Sequence, residues 1–180
     1  DVDLSLSNQD VKVESTFQEK DSSNIANSIL VSVTGESFIK NPKLAEEIFG
    51  PYSILVKCKN IEELNHILST LDGQLTGTVL GIEDEIESFD FSISQLEKRV
   101  GRLIFNGVPT GVEVCSSMQH GGPYPASSDS RFTSVGTMAI KRFTRPVAFQ
   151  SWPDSRLPDE LKNNNPLNIW RLINGDFIKD

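Results

Sequence analysis

Residues 53–106 alternate short apolar runs with segments of helical periodicity, and this alternation constrains the fold more than any other feature of the chain. Short apolar runs are typical of buried strands, whereas apolar residues three and four positions apart mark one face of a helix. Strands that alternate with helices in this way are typical of βαβ units, in which helices cover a parallel sheet. We therefore predict an α/β fold with a parallel sheet flanked by helices.

Local signals place the strands and helices of this region. Strands are predicted at residues 53–58, 75–81 and 102–106. Asn60 followed by Glu63 has the spacing of a capping box, so the first helix begins there, and Gly73 is predicted as the glycine that ends it. The second helix is predicted to end at Gly101. The apolar stripes of the two helices are Ile61, Leu64, Leu68 and Leu71, and Ile86, Phe89, Ile93, Leu96 and Val100.

The segment before residue 53 carries weaker signals. Strands are predicted around residues 11–17 and 29–33, with a polar loop between them. Asn41 followed by Pro42 is a favourable helix start, so a short helix is predicted over residues 43–49 before the stop at Gly50. This prediction places Glu46 and Glu47 on a helical turn.

Beyond Asn106 the chain becomes rich in Gly, Pro and Ser, which predicts a long ordered loop over residues 107–129. A helix is predicted within residues 130–141, a strand over residues 145–152, and a last amphipathic helical turn around residues 167–173. We divide the chain accordingly into a main part, a strand segment and a tail, at residues 1–142, 143–153 and 154–180.

Composition excludes several classes of partner. The formal net charge is −8 and the 17 Lys and Arg residues are scattered, so nucleic acid and anionic membrane surfaces are not expected to bind. No apolar stretch approaches the roughly 18 residues of a spanning helix, and the start of the chain lacks the pattern of a signal peptide. Cys58 and Cys115 form no disulfide framework and no metal-ligand spacing with the two histidines, so we expect a reducing cytoplasm and no metal.

Two sets of residues could carry chemistry, and each has an ordinary structural explanation. Glu46 and Glu47 form an acidic pair of the kind that most often lies on a solvated helix end, but one such carboxylate could accept two hydrogen bonds from a ribose. Cys115 and His120 could form a thiol and base pair, although nothing near Cys115 is expected to lower its pKa, and a small residue packed under a loop is the simpler explanation. Gly121 and Gly122 do not belong to a phosphate-binding Gly-x-Gly-x-x-Gly motif.

Several long strings resemble one enzyme superfamily. Asn41-Pro42 is followed by Leu44-Ala45-Glu46-Glu47-Ile48-Phe49-Gly50-Pro51, and further strings follow Asn106 at residues 106–114, 118–127, 133–136 and 142–147. From residue 41 to residue 153 this order resembles the aldehyde dehydrogenases, and the strings after Asn106 resemble the α-ketoglutaric semialdehyde dehydrogenases among them. The resemblance implies that residues 1–142 are the C-terminal part of the catalytic domain of such an enzyme.

The resemblance also implies roles for individual residues. Glu47 would bind the nicotinamide ribose of NAD or NADP, and Phe49 would pack against the nicotinamide. Val114, Cys115 and His120 would line the channel for a small aldehyde. We expect Glu47 to face a cleft at the carboxyl ends of the parallel strands.

The family's nucleophilic cysteine, general base and cofactor-phosphate residues have no counterpart here, so the resemblance implies no catalytic residue in this chain. By itself the chain is therefore expected to be an inactive portion of an oxidoreductase. The strand over residues 145–152 would join subunits of a homo-oligomer, as in the family. Two alternatives remain open: a non-catalytic binding or assembly module with the same fold, and a thiol enzyme that uses Cys115 and His120.

Overall fold

The computed structural model of the chain describes residue 2 and residues 6–17, 26–109, 111 and 114–179. The polar loop predicted between the first two strands, at residues 18–25, lies outside the described residues, as do Thr110, Val112 and Glu113 of the long loop. The chain divides into two compact units, Asp1–Arg142 and Phe143–Asp180. No helix among the described residues has both the length and the apolar character needed to cross a membrane.

The first unit begins with a three-stranded sheet in the order β1-β2-β3. Its strands are β1 at Lys12–Phe17, β2 at Ser28–Thr34 and β3 at Tyr52–Lys57. β1 runs antiparallel to β2 and carries an irregularity between Val13 and Ser15, whereas β2 and β3 run parallel, with Val31 opposite Ile54. The first predicted crossover joins the strands at residues 53–58 and 75–81, whereas the parallel partner of β3 within the described residues is β2.

Two helices cover the sheet. Helix α1 spans Gly35–Lys40, a 3-10 helix spans Pro42–Ala45, and helix α2 spans Ile61–Thr70. The buried side chains that meet here are Val33, Phe38, Leu44 and Ile67. Burying each such side chain stabilises the fold by about 1.5–3 kcal/mol relative to its exposed state.

The rest of the first unit repeats the strand and helix alternation. Strands β4 at Gln74–Val79 and β5 at Val100–Phe105 pair in parallel, joined by a 3-10 helix at Glu83–Phe89 and helix α3 at Asp90–Glu97. Helix α3 packs against α2. A cavity of about 440 Å³ lies between these helices and β4. The α/β prediction with parallel strands and covering helices is therefore confirmed, with the parallel pairs in two separate sheets of the described chain.

The second unit contains a small hairpin. Strands β6 at Arg171–Ile173 and β7 at Asp176–Ile178 pair antiparallel through a turn at Asn174 and Gly175, whose φ values are 54° and 96°. Positive φ at both central residues is the geometry that Asn-Gly turns favour. The helical turn predicted around residues 167–173 is therefore wrong. The Asn-Gly pair was the signal that could have predicted the hairpin.

Residues 145–150, predicted as most of a strand, have no strand pairing within the described chain and are exposed. The helix predicted within residues 130–141 is a 3-10 helix at Thr137–Phe143. A segment is a β-strand only where its backbone forms hydrogen bonds with a neighbouring strand. An alternating pattern of apolar and polar side chains does not by itself supply that partner.

The capping and the buried face of the helices in the first unit also differ from the prediction. Asn60 accepts the Glu63 N–H at 2.9 Å as predicted, but the Glu63 carboxylate accepts the Lys59 N–H at 2.7 Å. On this helix Ile67 is the buried apolar residue, and Ile61 is exposed. Helix α1, whose first turn is capped by the Thr34 hydroxyl, was not predicted from the sequence.

The roles of Gly73, Val100 and Gly101 differ from those predicted. Gly73 and Gly101 do not end helices: Gly73 precedes β4, while Val100 and Gly101 already belong to β5. A Cβ at Gly73 would lie 2.6 Å from the Tyr124 carbonyl oxygen, so the residue permits a close approach of the long loop.

Candidate functional site

The Glu47 segment leaves the 3-10 helix and leads into β3. Glu46 already has extended backbone angles, φ −70° and ψ 138°. The prediction that Glu46 and Glu47 lie on a helical turn is therefore wrong. Buried Leu44 anchors the segment at one end. At the other end Gly50 has a φ of 149°, and its carbonyl accepts the Tyr52 N–H at 2.8 Å.

Both proposed cofactor contacts are open to solvent. The Phe49 side chain is 98% exposed, and Glu47 is exposed with no hydrogen-bond or ion-pair partner among the described residues. Phe49 lies three residues before β3, at the amino end of that strand. The expectation of a cleft at the carboxyl ends of the strands is therefore wrong for this segment.

The long loop starts from a fixed point at the carboxyl ends of β4 and β5. The Asn106 side chain donates to the Gly81 carbonyl at 2.8 Å and accepts the Gly81 N–H at 2.9 Å. Asn106 has a φ of 48°, a conformation that Asn tolerates better than most residues. This reciprocal amide pair ties the end of β5 to the residues that follow β4.

The same loop is fixed again at the amino ends of β4 and β5. Gly121 and Gly122 are buried, and a Cβ at Gly101 would lie 2.6 Å from the Gly121 carbonyl carbon. The Gly73 N–H donates to the Tyr124 carbonyl at 3.2 Å. Gly121 and Gly122 thus serve a close backbone contact, and the loop runs from the carboxyl ends of the two strands back to their amino ends.

His120 immediately precedes this contact and is half-buried. Its N–H donates to the Thr133 hydroxyl at 2.9 Å, and its carbonyl accepts the Ser134 N–H and the Ser134 hydroxyl, each at 2.9 Å. Val114 is 67% exposed. Cys115 is also exposed, and its sulfur lies 3.4 Å from the Ser117 hydroxyl.

The described contacts do not pair Cys115 with His120, since the sulfur contacts Ser117 and the His120 contacts run through its backbone. Burial and nearby Glu63 raise the pKa of Cys58, which keeps that thiol protonated. Among the described residues, no group of three or more His, Cys, Asp or Glu side chains could hold a metal ion. The cavity behind β4 has mainly apolar walls and none of the five predicted site residues lines it.

Known proteins with a similar sequence include two α-ketoglutaric semialdehyde dehydrogenases. Alpha-ketoglutaric semialdehyde dehydrogenase 2 of Azospirillum brasilense is 45% identical over 150 residues, which cover 83% of this chain and 29% of that protein. Alpha-ketoglutaric semialdehyde dehydrogenase of Acinetobacter baylyi is 50% identical over 135 residues, covering 75% of this chain and 26% of that protein. The chain is related to the aldehyde dehydrogenases. The resemblance seen in the sequence motifs is therefore confirmed.

The chain spans less than a third of the length of these curated relatives. No protein-family model matches it. Among solved structures, delta-pyrroline-5-carboxylate dehydrogenase from Mycobacterium tuberculosis has a TM-score of 0.57 at 20% identity, covering 87% of this chain and 30% of that one. The same enzyme bound with NAD gives a TM-score of 0.57 at 19% identity, covering 87% and 29%. This likeness supports the aldehyde dehydrogenase fold.

The sequence did not point to three residues that hold the loop with the predicted substrate contacts. Asn106, Thr133 and Ser134 hold the two ends of the loop segment that carries the predicted substrate contacts. Asn106 follows an apolar strand and precedes Gly107, which is a turn signal that could have pointed to it. No local pattern links Thr133 to His120, because the two are 13 positions apart.

Proposed function

We propose that the chain forms part of an NAD(P)-dependent aldehyde dehydrogenase that oxidises α-ketoglutaric semialdehyde to the corresponding acid. The observation that carries the proposal is the identity of 45% and 50% to two proteins of that name. The proposal places the enzyme in the cytoplasm, in keeping with two cysteines that are free thiols.

In this proposal Glu47 and Phe49 position the nicotinamide end of the cofactor. The cofactor, when bound, supplies the hydride acceptor. The Glu47 carboxylate has no partner among the described residues, so it is available to accept hydrogen bonds from two ribose hydroxyls, and charge-assisted bonds of this kind are the stronger ones. The exposed Phe49 ring offers an apolar face to the nicotinamide. Because both residues lie between buried Leu44 and β3, they can orient the ring without moving the sheet.

The substrate end of the site is assigned to the long loop. His120 is proposed to favour an aldehyde that carries a carboxylate, by donating a hydrogen bond to it, while Val114 and Cys115 form neighbouring parts of the channel. The backbone contacts of His120 support this role, since a residue that selects a charged group must be held in place.

The nucleophile and the general base are assigned to polypeptide other than these 180 residues. Cys58 is unsuitable because its pKa is raised, and Cys115 has no base within hydrogen-bond distance among the described residues. The proposal therefore makes the isolated chain inactive. It also makes the enzyme a homo-oligomer through residues 145–152, which are exposed and have no strand partner in the part of the chain that the structure describes, and are therefore available for pairing with another subunit.

The test begins with the natural gene product. Its intact mass should be several times the 20.0 kDa of this chain, and it should reduce NAD or NADP when given α-ketoglutaric semialdehyde, whereas the 180-residue chain should not. A natural product of 20.0 kDa without aldehyde oxidation would overturn the proposal and support a non-catalytic binding or assembly module.

The role of His120 has its own test in the complete gene product. His120→Ala should raise KM for α-ketoglutaric semialdehyde by about tenfold, the worth of one charge-assisted hydrogen bond, and should leave KM for a neutral aldehyde of similar length within about twofold. His66→Ala is the matched control, since His66 is an exposed residue of α2. Unchanged discrimination between the two aldehydes in His120→Ala would show that His120 does not select the substrate.

A further inference from the structure

The backbone of His120 is held on both sides by one short segment. Thr133 is only 4% exposed, and its hydroxyl accepts the His120 N–H at 2.9 Å while it donates to the Val135 carbonyl at 2.8 Å. Because the donor and an acceptor of this hydroxyl are both in use, its rotamer is fixed. The Ser134 N–H and hydroxyl both donate to the His120 carbonyl.

The peptide that follows His120 is also fixed. A Cβ at Gly121 would lie 3.0 Å from the Phe132 carbonyl oxygen, and one at Gly122 would lie 3.3 Å from the Gln74 carbonyl carbon. The backbone therefore has no room to shift towards residue 132 or β4, while the hydrogen bonds to Thr133 and Ser134 oppose a shift away from them. With its backbone held in this way, the His120 imidazole can change direction only by rotation of its own side chain.

Cys115 and Val114 lack comparable support. Both are exposed, and the partners of Cys115 lie close to it in sequence: its sulfur is 3.4 Å from the Ser117 hydroxyl, and its carbonyl accepts the Met118 N–H at 3.2 Å. Among the described residues predicted to contact the substrate, His120 is the one whose backbone hydrogen bonds reach a segment distant in sequence, at Thr133 and Ser134. That contrast singles it out as the loop position whose orientation the fold specifies.

We infer that Thr133 and Ser134 are positioning residues that fix the His120 backbone, and thereby the point from which its imidazole extends, for recognition of the substrate carboxylate. The inference rests on the proposed function and deepens it. Neither residue contacts the substrate in this account. Their effect passes through His120, so it should appear in substrate discrimination more than in turnover of a neutral aldehyde.

The test compares Thr133→Val, which keeps the shape of the side chain and removes its hydroxyl, with Thr133→Ser, which keeps the hydroxyl. In the complete gene product, Thr133→Val should raise KM for α-ketoglutaric semialdehyde about five- to tenfold and leave kcat and KM for a neutral aldehyde within about twofold. Thr133→Ser should keep the wild-type ratio of the KM values for the two aldehydes, because it retains the hydroxyl. Thr70→Val is the matched control, because the Thr70 hydroxyl bonds its own helix, at Ile67.

A second readout does not depend on activity. Hydrogen exchange followed by mass spectrometry should show faster exchange at His120 in Thr133→Val, and Ser134→Ala should act in the same direction without emptying a buried position. Equal effects of Thr133→Val on both aldehydes, or unchanged exchange at His120, would overturn the inference while leaving the proposed function intact. A wild-type gene product that oxidises no aldehyde would instead overturn the proposed function, and the inference with it.

Discussion

Replacing Gly101 by Ala should detach or strain the long loop, because β5 and the Gly121 backbone leave no room for a methyl group. The added Cβ would lie 2.6 Å from the Gly121 carbonyl carbon and 2.9 Å from the Gly122 Cα, where ordinary contacts measure 3.4–4 Å. Overpacking usually costs about 1–3 kcal/mol. Both obstacles are backbone atoms that cannot rotate away, so we expect the upper end, about 3 kcal/mol.

If the loop detaches from β5 and the strain is avoided, the protein is still destabilised. If the loop moves away, the hydrogen bond from the Gly73 N–H to the Tyr124 carbonyl is lost, at about 1 kcal/mol, together with the burial of Gly121 and Gly122. Either response lowers the free energy of unfolding of the first unit. Urea denaturation followed by circular dichroism measures this free energy.

Gly81→Ala is the matched control for this substitution. No atom lies within 4 Å of a Cβ built at Gly81, which also lies next to the β4 and β5 pair and has no positive φ. It should change the free energy of unfolding by no more than about 0.5 kcal/mol. Similar losses in Gly101→Ala and Gly81→Ala would refute the close contact between β5 and the loop.

Two further substitutions test other parts of the first unit. Asn106→Ala removes both hydrogen bonds to Gly81 and places Ala at a φ of 48°, so it should lower the free energy of unfolding by about 2 kcal/mol in urea titrations, and an effect under about 0.5 kcal/mol would contradict the anchor. The Ser32 hydroxyl, with Lys57 and Lys12, lowers the pKa of Glu14 from 4.5 to about 2, so the Glu14 carboxylate stabilises the fold above pH 4.5 and this contribution is lost as the pH falls towards 2. The difference in urea midpoint between wild type and Glu14→Gln should therefore shrink over that range, and a difference that does not change with pH would contradict the assignment.

The strands of the first unit could be predicted because their signals are local. The runs that became β2, β3 and β5 each contain three consecutive apolar residues, and β4 alternates Leu75 and Val79 with polar residues and Gly77. The two parallel pairs each have helical segments between their strands. Helix ends were less predictable. Gly73 and Gly101 have the sequence context of helix-ending glycines, but the structure uses them for contacts with residues 121–124, which no local pattern indicates.

In the second unit the prediction from apolar spacing was wrong. Leu167, Trp170 and Ile173 have helical spacing, yet the turn at Asn174 and Gly175 favours a hairpin, and turn chemistry prevailed over periodicity. The spacing of apolar residues alone was an insufficient guide in so short a segment.

The sequence could indicate candidate site residues, but it could not predict how the fold arranges them in space. The motif around Glu47 and Phe49 identified the cofactor contacts by resemblance, while the location of Phe49 at the amino end of β3 required the path of the chain through α1 and the 3-10 helix. The support of His120 by Thr133 depends on a hydrogen bond between distant positions in an irregular loop. Interactions of this kind follow from tertiary packing, for which a single sequence contains no periodic signal.

The most direct test of the whole account compares two neighbouring glutamates in the complete gene product. Glu47→Gln keeps the size of the side chain and removes its charge, so kcat/KM for NAD(P)-dependent oxidation of α-ketoglutaric semialdehyde should fall by about 10- to 100-fold, the worth of charge-assisted bonds to a ribose. Glu46→Gln, one position away and also exposed, should stay within about twofold of wild type. Equal values of kcat/KM for the two variants would contradict the claim that Glu47 binds the cofactor.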